Sequence, residues 1–483
     1  MSRSGVPITL SHPRWSDLTR WPLLGRFLRL RHARTIAQTV LLVLAALVLY
    51  DGFFGPPIAP KNLAGVLPWV HWRGLVVLAL LLAGNLFCFA CPFMLPRRLA
   101  QLLFRPRRSW PRWLPGKWVA IVLLVTFFWA YEAFDLWASP LLTAWVALAY
   151  FVAAFAIDGF FRGAAFCKHV CPIGQFNFIG SLVSPTEVRI RDASVCQRCR
   201  TKDCIRGRFD RDGRLVQRGC ELGLFQPAKV GNLDCTFCLD CLHACPHQNV
   251  GIRWRFPLRA ETDPDSLRSG IGRLSGRHDW ATLVVVLTAL GFLNAFGMVS
   301  PVYHFLRWLS QTLHVTREPV LLAIVFAGGL AVLATCVTLA SLATRWLLPT
   351  PSPRWSGMRF VYTLAPLGFG MWSAHYLFHF FTGALTVLPL AQQFAVDVTG
   401  RALLGQPAWH LASLLSVAAT TDLVVIVLAL GYFGSLFWTM RLGSRYRLGF
   451  IALLPWLGLN TLLFLFGIWL LGQPMEMRGT LLG

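Results

Sequence analysis

Of 483 residues, 55% are hydrophobic and only 14% charged, with 36 Phe and 20 Trp. That profile excludes an ordinary soluble domain and describes a chain built for lipid. The formal charge of +24 is spread along loops between apolar runs rather than gathered on one face, which argues for anionic lipid headgroups and against a nucleic-acid partner.

In chain order, residues 1–34 form a basic tail in which Trp15, Leu18, Trp21, Leu24, Phe27 and Leu28 fall at helical spacing between arginines. This pattern predicts an interfacial amphipathic helix. Apolar runs of bilayer-crossing length, about 20 residues, follow at roughly 35–54, 74–92, 118–136, 140–161, 279–299, 319–344, 360–385, 418–440 and 448–471. The first run lacks a small-residue cleavage site and reads as an anchor, not a signal peptide. Lys and Arg gather in 20–34, 97–117, 185–278, 342–359 and 441–447, and the alternate connections are poor in them. The positive-inside rule then puts the N-terminus and the cysteine-rich segment in the cytoplasm, with the chain in a bacterial inner membrane. An odd number of spans puts the C-terminus, with Met475 and Met477, outside. The expected fold is an all-α polytopic membrane protein of about nine transmembrane helices with an inserted cytoplasmic two-cluster ferredoxin-like domain. Its parts are the tail (1–34), a four-helix membrane module (35–180), the ferredoxin-like segment (181–258) and a five-helix membrane module (259–483).

Two cysteine pairs end membrane runs. Cys88-Phe-Ala-Cys91-Pro92 closes the second run, and Cys167-Lys-His-Val-Cys171-Pro172 follows the fourth. Spacings of i,i+3 and i,i+4 show both thiols of a pair on one helix face, and each helix stops at its proline. Both runs cross in the same sense, so Cys88, Cys91, Cys167 and Cys171 can converge at the cytoplasmic face as ligands of a third iron–sulfur cluster. Packing thiols or a redox-active dithiol are the alternatives. Asp158 is placed to pair with Arg162 one turn later.

The soluble segment carries the most specific motif. Cys235-x2-Cys238-x2-Cys241-x3-Cys245-Pro246 has the spacing of bacterial ferredoxins, in which three thiolates hold one [4Fe–4S] cluster and the fourth holds its neighbour. Zinc favours two separated pairs. Upstream, Cys196-x2-Cys199-x4-Cys204 is a stretched version of the triplet, with Cys220 after a longer insert. Crossed ligation assigns Cys196, Cys199, Cys204 and Cys245 to one [4Fe–4S] cluster, and Cys235, Cys238, Cys241 and Cys220 to the other. A zinc knuckle is the alternative for the upstream set. The insert from Ile205 to Gly219 reads as a basic surface loop with an Asp212-Gly213 turn. Arg198, Arg200, Lys202, Arg206 and Arg253 beside the ligands favour the reduced state.

These runs, Cys-Pro pairs and two-cluster segment resemble the NapH-type membrane ferredoxins, whose module the NosR and CcoG proteins share. The resemblance covers about residues 35–258. Family members carry C-x3-C-P at both membrane positions; Cys167 and Cys171 fit, whereas Cys88 and Cys91 are one residue closer. The resemblance implies electron transfer between the membrane quinone pool and another redox protein, or reductive support for maturation of a periplasmic metalloenzyme. The outer flavin domain of NosR and the C-terminal β-domain of CcoG have no visible counterpart, and residues 279–483 fall outside the resemblance.

In that second half, His375 and His379 are i,i+4 on the seventh run, and intramembrane polar groups face a bundle interior. With His410 before the eighth run, or His304 and His314 in an outer loop, they are candidates for haem b, a quinone pocket or another metal; packing is the alternative. Asp422 and Asn460 are expected to bond between helices, and lone Cys336 to pack. No nucleophile elbow, P-loop or dinucleotide fingerprint occurs. The reading is a membrane-bound iron–sulfur electron-transfer protein linking quinone or quinol to a partner, with a maturation factor or an iron–sulfur redox sensor as alternatives.

Overall fold

A computed structural model describes residues 17–229, 231–255, 268–269, 272–273, 276–348 and 357–474. Among the described residues, eight helices are long and apolar enough to cross a membrane: Ala33–Phe54, Leu63–Leu82, Pro140–Phe160, His278–Phe296, Glu318–Trp346, Gly357–Thr399, Val417–Arg445 and Phe450–Leu471. The chain is therefore a largely helical polytopic membrane protein. The second helix differs from the run expected at 74–92: it ends at Leu82, and Cys88 sits on a separate short helix, Leu86–Ala90, with Cys91 at its C-cap. The third expected run is shorter, a 16-residue helix over Trp118–Ala133. It ends because Asp135 adopts the left-handed backbone region (φ 44°). Ser139 then caps the next helix through Leu142 N, with Pro140 at its first position, the favoured chemistry for a helix start.

The seventh run extends beyond its expected end. Gly357–Thr399 is a chain of helical pieces, broken by a 3-10 turn at Ala384–Thr386 and continued by Val387–Thr399. The connection expected over 386–415 thus begins as helix. Ala365–Gly383 is buried for most of its length and lies against Val417–Arg445, where a Cβ on Gly431 would come within 3.1 Å of the Gly370 Cα. Small residues allow such close backbone approach between membrane helices.

The cysteine-rich segment is closed by two antiparallel strands, β1 (Thr186–Ile190) and, at its far end, Val250–Trp254, in register from Thr186↔Trp254 to Ile190↔Val250. Everything between them loops out from one two-stranded base. The N-terminal tail folds onto this base. Asp17 accepts from Arg191 Nε at 2.7 Å, and Leu18 and Leu28 are buried in the common core. The helix Pro22–Arg29 accordingly has a protein-facing side as well as its half-exposed Trp21, Leu24 and Phe27. Trp15, Met475 and Met477 lie outside the described residues.

The helix over Trp118–Ala133 is about 24 Å long at 1.5 Å per residue, against a hydrocarbon core of about 30 Å. Its mean apolar character and flanking Lys117 still favour a crossing. Reporter fusions after Pro115 and after Ala138 are expected to read opposite sides of the membrane; matching sides would make this helix a non-crossing one and leave eight spans.

Candidate metal centres

The structure gathers twelve cysteines into three groups of four. In the first, Cys204 lies within electrostatic range of Cys245, Cys196 and Cys199. Asn249 ties the two ends of this group together, donating from its backbone N to Cys245 Sγ (3.4 Å) and from Nδ2 to Cys196 Sγ (3.2 Å). In the second, Cys220, Cys235, Cys238 and Cys241 line one pocket, and Leu224 N donates to Cys220 Sγ at 3.3 Å. In the third, Cys88, Cys91, Cys167 and Cys171 line one pocket. Gly174 N donates to Cys171 Sγ at 3.3 Å and Asn177 Nδ2 to Cys88 Sγ at 3.5 Å. The geometry thus crosses Cys245 and Cys220 between the two soluble groups, and brings the two Cys-Pro pairs together despite the shorter spacing of the first.

Local backbone explains how the loops wrap. Lys202 and Leu239, both in the left-handed region, immediately precede the short helices Asp203–Arg206 and Asp240–Ala244. Phe237 and Gln248 share that conformation. A left-handed non-glycine residue costs roughly 1–2 kcal/mol, and such outliers concentrate where a loop clamps a ligand. The matched positions give the segment an internal repeat: a cysteine loop, a left-handed residue, then a short helix carrying Cys204 or Cys241.

The groups adjoin one another. Cys220 N donates to Cys204 O at 2.9 Å, which joins the first and second. Thr236 lines the cavities of both the second and third, and Asn85 Nδ2 donates to Cys235 O at 3.2 Å.

Buried charge fills the space between the second and third groups. Glu221, next to Cys220, accepts from Arg97 (2.7 Å) and Arg34 (3.2 Å). Arg34 also reaches Asp240, next to Cys241, at 3.0 Å. Arg97 is 2% exposed and lies 2.9 Å from Asp158, an ion pair whose angle is too poor for a hydrogen bond. The expected Asp158–Arg162 pair is therefore replaced by a contact between residues 61 positions apart, because Asp158 points into the bundle. Arg97 Nη1 donates to Met94 Sδ (3.0 Å) and approaches Cys167 Sγ (3.7 Å). Burial works against the Arg97 charge, but Glu221 and Asp158 more than offset it and raise its pKa. Burial would likewise raise the Glu221 carboxyl; Arg97 and Arg34 reverse this and hold it well below the usual range. On the other flank, Lys117 is fully buried against Asp234 Oδ1 at 2.6 Å. These cations, rather than the arginines adjacent in sequence to the cysteines, are the ones enclosed with the cavities.

The donor set fits a polynuclear iron–sulfur group. Burial pushes the Cys88 thiol up to about 11 and Cys167 to about 12, and Cys204 and Cys220 to about 11. Thiols of this kind ionise only against bound metal, which displaces their protons. A single ion with metal–sulfur bonds of about 2.3 Å needs sulfurs about 3.8 Å apart. Among the described residues, no three or more His, Cys, Asp or Glu converge on one ion.

The histidines divide. His375 and His379 are buried with their rings 4.8 Å apart and nearly perpendicular. Neither ring nitrogen of His375, nor Nε2 of His379, has a hydrogen-bond partner. His410, His304 and His314 are exposed, so none of them joins this pair. His71, on the neighbouring helix, is turned to Ala384 O at 3.1 Å. Two imidazoles on one helix face do not supply opposite axial ligands to a haem. Sequence reading missed Arg73, whose guanidinium sits over the rings of Trp69 (4.5 Å), Tyr131 (4.5 Å) and Tyr376 (5.0 Å). Asn460 bonds to Trp456 O on its own helix (2.8 Å) rather than between helices, and Asp422 is exposed.

The chain is similar to an uncharacterized protein of Methanocaldococcus jannaschii, 24% identical over 229 residues that span 44% of this chain and 82% of the relative. No protein-family model and no solved structure matches it.

Replacing Glu221 with Gln would leave Arg97 and Arg34 buried without their shared counter-charge. A broken buried pair costs about 3–5 kcal/mol, so E221Q is expected to lower the thermal midpoint of the detergent-solubilised protein by several degrees. An unchanged midpoint would show that the network contributes no stability.

Proposed function

We propose that the protein is a membrane-bound iron–sulfur electron-transfer protein linking the quinone pool to a partner redox protein, with its cysteine-rich segment on the cytoplasmic side. The observation that carries this reading is the gathering of twelve cysteines into three adjoining groups of four. Cys196, Cys199, Cys204 and Cys245 would hold one [4Fe–4S] cluster, Cys220, Cys235, Cys238 and Cys241 a second, and Cys88, Cys91, Cys167 and Cys171 a third. Bound clusters supply one-electron couples whose potentials depend on net charge, hydrogen bonds to sulfur and burial.

The chain's own residues set those conditions. Asn249 fixes Cys196 against Cys245 by donating to both sulfurs. Phe87, Phe93, Phe166 and Phe178 line the membrane-face cavity and exclude water. Arg97 holds positive charge against Cys167. Beyond this cavity, the helix Pro172–Gly180 carries Phe176 against Trp372 (5.6 Å) and Tyr376 (6.2 Å). One aromatic layer thus separates Cys171 from the helix bearing His375 and His379. Their unpartnered nitrogens, with Arg73 nearby, suit the oxygen headgroup of a quinone better than a haem.

Anaerobically purified protein is expected to contain about twelve iron and twelve sulfide per chain if all three groups are filled as [4Fe–4S]. Replacing Cys88, Cys91, Cys167 and Cys171 together should remove about a third of both. Cys245→Ser should abolish the electron paramagnetic resonance signal of the cluster held by Cys196, Cys199 and Cys204 and spare that of its sequence neighbours. Zinc in place of iron would sink the reading.

Arg97→Gln removes positive charge beside Cys167 and should make that cluster harder to reduce. The expected change is a roughly tenfold fall in its reduced-to-oxidised ratio at fixed ambient potential, about 59 mV for a one-electron couple. A redox titration with no midpoint moved would leave Arg97 a purely structural residue.

A further inference from the structure

The insert between Cys204 and Cys220 is not needed to bring the cysteines together, yet it is built with care. It forms a hairpin of two short strands, Arg208–Phe209 and Leu215–Gln217. Asp210 makes its turn, accepting at Oδ1 from Asp212 N (3.0 Å) and Arg214 N (2.8 Å), while Gly213 supplies the positive φ of 74°. The base is pinned. Cys220 N donates to Cys204 O at 2.9 Å, and the strands approach so closely that a Cβ on Gly219 would lie 2.6 Å from Gly207 N. One leg of the hairpin therefore starts at a cysteine of the first group and the other ends at a cysteine of the second.

Its surface is unusual. Phe209 is 55% exposed and its cross-strand partner Leu215 50%, a small apolar pair on a segment otherwise made of charge. Between residues 198 and 218 there are eight Lys or Arg against three Asp. Arg206, Arg208, Arg211 and Arg214 are all exposed, and the Asp210 carboxylate is engaged by the turn. A solvated basic loop would have no reason to expose two large apolar side chains side by side. An apolar centre within a rim of net positive charge is the form of an encounter surface: the rim steers association and the centre gives short-lived contact.

We infer that the hairpin Arg208–Gln217 is the docking surface for an acidic soluble redox protein, which exchanges one electron with the cluster held by Cys196, Cys199, Cys204 and Cys245. The inference rests on the iron–sulfur reading above. Charge complementarity selects an acidic partner, and the pinned base keeps the docked partner close to the first cysteine group, the most exposed of the three. Weak electron-transfer encounters bury under about 1,200 Å², within reach of a surface of this kind.

The test uses the full-length, iron-loaded protein in nanodiscs and a reduced, acidic plant-type ferredoxin as probe. One electron leaves the ferredoxin cluster, which is oxidised, and enters a cluster of this protein, which is reduced; stopped-flow absorbance reads the second-order rate. The wild-type rate should fall steeply as salt is raised. The double variant R211E/R214E should be roughly tenfold slower at low salt, in line with lost electrostatic steering, and reduction by the cationic methyl viologen radical should be no slower. F209S/L215S should slow the ferredoxin reaction while leaving its salt dependence in place. A ferredoxin rate indifferent to these substitutions, or no ferredoxin reaction where viologen reacts, overturns the inference. So does a rate that loses its salt dependence when zwitterionic lipid is exchanged for anionic lipid, because the patch would then be covered by headgroups. Purified protein without iron would instead overturn the electron-transfer reading itself.

Discussion

Glu221 is the residue on which the two halves of the site depend. It follows Cys220 in the cysteine-rich segment, yet its carboxylate is held by Arg34 from the first span and by Arg97 beyond the second. Through Arg97 it is joined to Asp158 of the fourth span, and through Arg34 to Asp240 beside Cys241. Burying so many charges is expensive, and a network repays that cost only when its members face one another in good geometry. The arrangement therefore specifies one seating of the soluble segment on the membrane body. That seating puts Thr236 between the cavities of two cysteine groups.

The same network shapes the chemistry proposed for the cavities. Four thiolates around an iron–sulfur group carry net negative charge, and each added electron increases it. Arg97 and Lys117 lie beside that site, each paired with buried carboxylates, Arg97 with Glu221 and Asp158 and Lys117 with Asp234, so they present oriented ion pairs in a low local dielectric rather than net positive charge. Amide donors to sulfur from Asn177, Asn249, Gly174 and Leu224 stabilise the negative charge.

The membrane half beyond residue 278 joins the site through aromatic packing and through Asp279, which accepts from Lys117 N at 3.0 Å. Phe176, five residues after Cys171, reaches Trp372 and Tyr376 on the largely buried helix Ala365–Gly383. Arg73, enclosed by Trp69, Tyr131 and Tyr376, brings the first half to the same place. His375 and His379 thus lie at a seam between modules, where polar groups without partners are costly and a ligand would satisfy them.

Much of this was legible in the linear chain. Apolar run lengths gave the polytopic body, because spanning a bilayer imposes a length on every helix. Cysteine spacing marked the local pairs and triplets, because thiols a few residues apart on one loop or helix face are presented together, whereas the meeting of Cys88 and Cys91 with Cys167 and Cys171 is a tertiary contact. What the chain could not reveal depends on contacts between residues far apart in sequence. Asp158 had a plausible partner one turn away in Arg162, but the fold supplied Arg97 instead. Arg34, Glu221 and Asp240 lie on separate segments, and no local pattern marks them as neighbours. The helix Trp118–Ala133 was cut short by one left-handed residue, Asp135, and His410 was set apart from His375 and His379 by a loop whose path periodicity does not record. Local spacing fixes which ligands are presented together; only tertiary packing decides which of these sets meet and which buried charges surround them.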